Sequence, residues 1–334
     1  MKKIYILTPC YNDFESLSVL LSNIDVEIPN HAGIEINIAV INDCSTVPNI
    51  SVESYQKAQY NNINQIIQLD LNRNVGHQRA ICIGLAYLHS LSEDFDCIVV
   101  MDSDGEDDYL DVFQLVDVMT DDKIIFAKRG KRSEPFIFRI FYRLYIHFFK
   151  FFTGQIIRGG NFSLIPRNLL SSVVHLSGIW NHYHAGIIKS KIPVSYVLCD
   201  RAKRYKGKSK MNFYSLVIHG LSSASVFNEI LFVKLTICSF VLFFICVLAI
   251  ISIIIMKFAL RYLIEPWIVY TVGIAFMLCA NIMVILVCFT FLFLGNRNMD
   301  SFMLVKGYIM FIENVKVIKP TNITGRLKEK CMKA

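Results

Sequence analysis

The stretch Phe95-Asp96-Cys97-Ile98-Val99-Val100-Met101-Asp102-Ser103-Asp104 decides the fold. Phe95 to Met101 reads as a buried strand, an apolar run bounded by acidic turn residues. It delivers Asp102 and Asp104 to its exposed carboxyl end. Residues i and i+2 of a strand share a face, so the two carboxylates converge on one divalent cation. Hard oxygen ligands suit Mg²⁺ or Mn²⁺, and Mg²⁺ is usually held by one or two carboxylates plus substrate phosphates. The motif points to an enzyme acting on a phosphorylated or nucleotide substrate. Taken by themselves, the same residues also fit a solvated acidic turn.

Upstream, strands and helices alternate. Lys3 to Thr8 is a short apolar strand ending at Pro9, and Asp13 to Ile24 has helical periodicity. Ile34 to Ile41 is a strand ending at Asn42-Asp43, and Ile63 to Leu69 is another, followed by the loop Asn72 to Gly76. Gln78 to Leu91 reads as a helix. This order predicts a parallel, doubly wound sheet, in which ligands bind beyond the carboxyl ends of the strands. Asp43, the Asn72 to Gly76 loop and the Asp102/Asp104 pair all fall at that edge.

The chain has 334 residues, 54% of them hydrophobic, and the excess sits in the last third. Leu231 to Met256 and Trp267 to Leu294 both exceed the roughly 20 apolar residues that cross a bilayer. Lys257 to Pro266 is too short a link for a domain. Asn281 inside the second span is expected to hydrogen-bond between helices. The short apolar stretch after Met1-Lys2-Lys3 does not read as a signal peptide. The ten cysteines show no metal-ligand spacing and read as reduced packing thiols. Charge is segregated: residues 1–125 carry 6 Lys+Arg against 20 Asp+Glu, and residues 126–234 carry 18 against 3. A basic block directly before the first span fits the positive-inside rule and contact with anionic lipid. It argues against a nucleic-acid partner. The expectation is a plasma (inner) membrane protein with two spans and both termini in the cytoplasm.

Two further segments carry chemistry. Pro135 to Phe152 places Arg139, Arg143, His147 and Lys150 on one stripe of an aromatic helix, as in a helix lying in the membrane interface. Arg201 to Lys210 clusters cations with Gly207 and Ser209, which suits phosphate binding. It is not a Walker loop, because the earlier glycine is missing. A His-x-His pair, His182 and His184, has no visible third ligand for a metal. A strand around Val315 to Ile318 in the tail could pair between subunits.

Together these motifs resemble the family-2 glycosyltransferases that load a sugar onto a polyprenyl phosphate, the group of the dolichyl-phosphate mannose synthases and two-span bacterial undecaprenyl-phosphate glucosyltransferases. Thr8-Pro9-Cys10-Tyr11-Asn12-Asp13 resembles the opening Pro-x-Tyr-Asn-Glu motif. Ile41-Asn42-Asp43-Cys44-Ser45 resembles the nucleoside-binding Asp-Asp-Gly-Ser, and Asn72 to Gln78 the Asn-x-Gly-His-Gln loop. Asp102-Ser103-Asp104 resembles the metal motif, and Arg201 through Lys210 the Arg-x-x-Gly-x-Ser-Lys segment. The chain departs from the family at Cys44, at Gly105-Glu106-Asp107-Asp108, and at Asn161, where Gly160-Asn161-Phe162 replaces a Gly-Asp-Phe carboxylate.

The resemblance implies an α/β GT-A fold, a Rossmann-like mostly parallel sheet, with two transmembrane helices. Residues 1–210 would form the cytoplasmic catalytic domain with the interfacial helix 135–152. Residues 211–230 would be a juxtamembrane amphipathic segment, 231–256 and 267–294 the spans, and 295–334 a cytoplasmic tail. It implies inverting, Mg²⁺- or Mn²⁺-dependent transfer from a nucleotide sugar to undecaprenyl phosphate. UDP-glucose is the favoured donor, with GDP-mannose and UDP-N-acetylhexosamine open. Catalysis and metal binding fall to Asp102 and Asp104. Donor binding falls to Pro9, Tyr11, Asn12, Asp13, Asp43, Asn74, Gly76, His77, Gln78, Asp102, Ser103 and Asp104. The acceptor phosphate falls to Arg129, Arg132, Arg201, Lys208 and Ser209. The alternatives are an inactive membrane scaffold of the same fold and a transferase with a different acceptor. A homo-oligomer remains open.

Overall fold

The structure is a computed structural model that describes residues 1–47, 60–129, 147, 149–151, 153–155, 159–207, 213–259, 265–296, 305 and 307–319. Arg132, Lys208, Ser209 and most of the expected interfacial helix lie outside the described residues. The chain divides into two compact units: Met1–Arg139 with Ile157–Val226 and Ser301–Ala334, and Ile140–Ile156 with Phe227–Asp300.

The first unit is built on a sheet. In chain order its described elements are β1 (Lys2–Cys10), α1 (Phe14–Glu27), β2 (Ile34–Asn42), β3 (Gln65–Leu71), α2 (His77–Ser90), β4 (Cys97–Val100), α3 (Tyr109–Asp117), β5 (Ile124–Arg129), β6 (Ser163–Pro166), α4 (Arg167–Val174), α5 (Tyr183–Ser190), β7 (Val194–Cys199) and α6 (Phe213–Ser225). The second unit contributes α7 (Asn228–Phe258) and α8 (Pro266–Asn296), after which β8 (Ile312–Lys319) returns to the first unit's sheet. The strand order is β7-β5-β6-β4-β1-β2-β3-β8.

β1, β2, β3 and β4 are parallel, as the alternation of strands and helices predicts. Side chains alternate between faces with period two, and β1 shows the consequence. Ile4 and Ile6 pack on one face with Ile38, Val40 and Val99, against Leu17, Leu20, Leu21 and Ile24 of α1 and Val112 and Phe113 of α3. Tyr5 and Leu7 pack on the other with Ala39, Ile41, Ile98 and Val100, against Ile81, Leu85 and Leu88 of α2. Both faces are covered, so these strands are mostly apolar, with Thr8, Asn37 and Gln68 among the buried polar exceptions along β1, β2 and β3. Each of these leucines and isoleucines contributes about 1.5–3 kcal/mol by leaving water.

The sheet is mixed rather than wholly parallel. β6 runs antiparallel to both β4 and β5, with Val100 opposite Ser163. β8 is antiparallel to β3, with Asp70 opposite Asn314 and Lys316 Nζ 2.9 Å from Asp70 Oδ2. The tail strand, read from sequence as a possible link between subunits, therefore pairs within its own chain.

In the second unit α7 and α8 pack together through Phe232 on Phe289 and Phe243 on Phe276. Thr236 and Thr290 hydroxyls meet at 3.2 Å. Asn281 does not bond across the helices as expected. Its Nδ2 donates to Met277 O, 2.9 Å away in its own helix, the local bond that spares a polar side chain an unsatisfied donor. α7 and the Pro266–Leu292 part of α8 are long and apolar enough to cross a membrane, by length and composition.

Candidate functional site

The carboxyl ends of β1, β2, β3 and β4 share one edge of the sheet, and most of the expected site residues meet there. Pro9 is buried in β1, and Tyr11, just beyond the strand, is 41% exposed. Asn12 has φ +52° and uses its side chain as a small scaffold: Oδ1 accepts from Thr46 N at 2.7 Å and Val47 N at 3.1 Å. Asp43 N donates to Cys10 O at 2.9 Å, tying the end of β2 to that of β1.

Asp43 is 3% exposed and is held by backbone. Its carboxylate accepts from Val75 N at 2.7 Å and Gly76 N at 3.0 Å, while Asn74 Nδ2 donates to its carbonyl at 3.2 Å. Gly76 has φ +87°, a conformation glycine adopts without strain, and it caps the start of α2. Burial pushes Asp43 above the ordinary carboxylate pKa, opposed by the two amides and by His77. Cys44 follows with φ +54°, the left-handed conformation that a glycine would take more easily.

β4 presents the acidic pair. Asp102 N donates to Asp107 Oδ2 at 3.1 Å, and Ser103 is buried. His77 Nε2 lies 3.2 Å from Asp102 Oδ1 and 2.9 Å from Asn161 Nδ2. Asn161 is oriented in turn by Gln78, whose Nε2 donates to Asn161 Oδ1 at 3.2 Å and whose Oε1 accepts from Tyr183 N at 2.7 Å. Asn161 thus replaces a carboxylate with an amide that is locked into the site. Desolvation opposes charge on His77, but Asp102, Asp107 and Asp104 outweigh it and hold its pKa above the usual value.

Asp104 is held by side chains and by a neighbouring strap. Oδ1 accepts from Glu106 N at 2.9 Å, and Arg204 Nη1 donates to Oδ2 at 2.8 Å. Arg204 also pairs with Asp13, and Arg201 pairs with Glu106. The strap, residues 200–207, is fastened by backbone as well: Ala202 N donates to Glu106 O at 3.1 Å and Tyr205 N to Asp104 O at 3.0 Å. The Tyr205 ring lies on Gly105, whose φ is +84°, so a Cβ at 105 would overlap the ring. Burial, then Asp102 and Glu106, raise the Asp104 pKa; the Glu106 amide and Arg204 oppose them.

The arginine that reaches the acidic pair is Arg204, which the sequence reading passed over in favour of Arg201. The signal was present: Arg204 stands three residues before Gly207, the spacing of Arg-x-x-Gly-x-Ser-Lys. Arg201 instead neutralises Glu106. Arg129 ends β5, and its side chain lies outside what is described. His182 and His184 do not form a metal pair. His182 Nδ1 accepts from Ala185 N at the start of α5, and its ring stacks on His219. His184 Nδ1 sits 2.8 Å from Gly159 O. Burial depresses both, His182 to about 3 and His184 to about 4. Among the described residues no group of three or more His, Cys, Asp or Glu is placed to hold a metal ion.

A sequence model of glycosyl transferase family 2 matches residues 5–173, which spans β1 to α4 and includes Asp43, Asp102 and Asp104. The chain belongs to glycosyl transferase family 2. An uncharacterized glycosyltransferase of Synechocystis sp. is 23% identical over 219 residues, covering 63% of this chain and 65% of that protein. The chain thus spans about two thirds of the length of this relative. Among solved structures, glucosyl-3-phosphoglycerate synthase from Mycobacterium tuberculosis, in complex with Mg²⁺ and uridine diphosphate, is similar at 14% identity. The alignment covers 69% of this chain and 79% of that one, with a TM-score of 0.44. Mannosyl-3-phosphoglycerate synthase from Rubrobacter xylanophilus is similar at 12% identity, over 67% and 72%, with a TM-score of 0.44.

Proposed function

We propose that this glycosyltransferase moves a hexose from a nucleotide sugar to a polyprenyl phosphate at a membrane surface, with inversion at the anomeric carbon. The observation that carries the reading is the pairing, on one sheet edge, of a backbone-cradled Asp43 with the Asp102/Asp104 carboxylates. Asp43 would take the nucleoside. Asp102 and Asp104 would face the diphosphate.

These two carboxylates fit a hard divalent cation. Burial, with a smaller contribution from Asp102, raises the Asp104 pKa, and the site already takes positive charge from Arg204. Mg²⁺ or Mn²⁺ bound there would neutralise charge on the departing nucleoside diphosphate. Two protein carboxylates suffice when substrate phosphates complete the shell. Gln78 and Asn161 hold the His77 ring beside Asp102. The lipid phosphate is anionic near neutral pH, so its oxygen attacks the anomeric carbon without a strong base. That makes an amide at Asn161 compatible with turnover. As the new carbon–oxygen bond forms, the bond to the diphosphate breaks and its electron pair leaves with the nucleotide.

The membrane side of the reading rests on α7 and α8, long and apolar enough to span a bilayer. β3 before α7 and β8 after α8 pair in one sheet, which supports an even number of crossings with both flanks on the same side. Anchoring would raise the effective concentration of enzyme beside its lipid. UDP-glucose is the donor favoured by the His77-Gln78 loop and the two-span layout. The test incubates membranes carrying the protein with undecaprenyl phosphate, Mg²⁺ or Mn²⁺, and labelled UDP-glucose, GDP-mannose or UDP-N-acetylglucosamine. Label from one donor should enter the lipid extract. Folded protein that labels no lipid from any donor contradicts the acceptor.

A further inference from the structure

Arg204 does more than lie near the acidic pair. One guanidinium spans Asp104 Oδ2 and Asp13, and the side chains of all three residues are at most 17% exposed. Such charge-assisted contacts are strong when partly desolvated. The guanidinium thereby fills the counter-charge position of a carboxylate assigned above to a divalent cation. The same strap is fastened at five more points: Arg201 on Glu106, Ala202 N on Glu106 O, Tyr205 N on Asp104 O, Lys206 Nζ 3.4 Å from Glu15 Oε2, and Asn23 Nδ2 donating to Tyr205 Oη at 3.2 Å. All but the last two land on residues 104–106, as does one arm of Arg204. The strap is thus clipped to the acidic loop itself.

We infer that Arg204 is an internal counter-ion that competes with the divalent cation for Asp104, so that cation binding loosens the 200–207 strap. This rests on the cation reading given above. A cation held by Asp104 would draw on the carboxylate that Arg204 already pairs, and two cations drawn to the same carboxylate repel each other. Cation binding pulls charge density from Asp104 and weakens the Arg204 contact. The Tyr205 and Ala202 amides, which depend on the same loop, open with it.

A residue that merely shapes the carboxylates would reduce metal affinity when removed, whereas a competitor would increase it. The experiment therefore measures Mn²⁺ binding directly, by electron paramagnetic resonance of free Mn²⁺, on the full-length protein in detergent. Wild type, Arg204→Gln and Arg204→Lys are compared. Arg204→Gln should bind Mn²⁺ about tenfold tighter, equivalent to about 1.4 kcal/mol, with Arg204→Lys in between. Equal or weaker binding by Arg204→Gln, with wild type binding normally, overturns the competition and leaves the cation reading standing. A wild-type protein that binds no Mn²⁺, with or without uridine diphosphate, overturns the cation reading and this inference together. Hydrogen exchange on the wild-type protein is independent of any variant's folding. Saturating Mn²⁺ should speed exchange at the Ala202 and Tyr205 amides by several-fold; unchanged protection there overturns the loosening.

Discussion

Two carboxylates at the same sheet edge are held differently. Asp43 is gripped by the backbone amides of Val75 and Gly76, in a loop whose shape depends on the positive φ of Gly76. Asp104 takes one backbone amide, from Glu106, but its other oxygen is held by the Arg204 guanidinium, on a strap about a hundred residues away in sequence. Backbone amides cannot leave without unfolding the loop, whereas a long side chain can swing away at modest cost. The contrast separates a recognition element that is built in from a charged element that can be exchanged.

The sharpest way to break the contrast is at the exchangeable end. Asp102→Asn and Asp104→Asn should each reduce sugar transfer on the order of a thousandfold, because charge on the leaving diphosphate is no longer neutralised. Initial-rate measurements on folded protein check this, and a near-normal rate in either variant ends the assignment. At the built-in end, Asp43→Ala leaves two amides without their acceptor. Hydrogen bonds to charged groups contribute about 1.5–3 kcal/mol, so uridine diphosphate should bind about 10- to 100-fold more weakly by calorimetry. The loss should be the same with and without Mn²⁺; a loss confined to the metal-bound protein would erase the distinction.

Gly105→Ala probes how the strap is seated. An alanine there must adopt positive φ, a strain of about 1–3 kcal/mol, and its Cβ overlaps the Tyr205 ring. Thermal unfolding should shift downward, with faster exchange at Tyr205, and an unchanged melting curve would deny the contact. The smallest effect is expected at the far edge of the sheet. Burial pushes Asp70 up, but Lys316, Asn42 and Gln68 outweigh it and leave its pKa below the usual value. Its folded pKa is below its unfolded one, so its contribution is present above the ordinary carboxylate range and is lost as pH falls through the folded value. Lys316→Ala should destabilise by less than about 1 kcal/mol near neutrality, because Lys316 is 45% exposed. The penalty should shrink as the pH is lowered toward 3; a penalty that grows in acid would contradict the pairing.

Much of the parallel core was legible because its strands are mostly apolar and its helices keep their period. Asp13 to Ile24 became Phe14–Glu27, and Ile63 to Leu69 became Gln65–Leu71, a shift of two residues. β6 was illegible: four residues ending in Pro166 show no periodicity, and antiparallel insertion leaves no local mark. β8 could be read as a strand but not placed, since its partner lies some 250 residues earlier. At the site, Asp43, His77, Asp102 and Asp104 stood out because each follows a strand. Arg204 did not, because it sits among five other cations between Arg201 and Lys210. Only the distance to Gly207 distinguishes it. Gly105 was noted as a departure from the family pattern, yet its role against Tyr205 depends on a contact made across the fold.

The most direct test compares how Mn²⁺ changes the affinity for uridine diphosphate in wild type and in Asp104→Asn, with uridine as the control ligand. The account predicts that Mn²⁺ tightens uridine diphosphate binding to wild type and has no such effect in Asp104→Asn, while uridine binds both proteins equally. Full Mn²⁺ enhancement in Asp104→Asn, or a loss of uridine binding with the fold intact, would contradict the division of labour between Asp43 and the acidic pair.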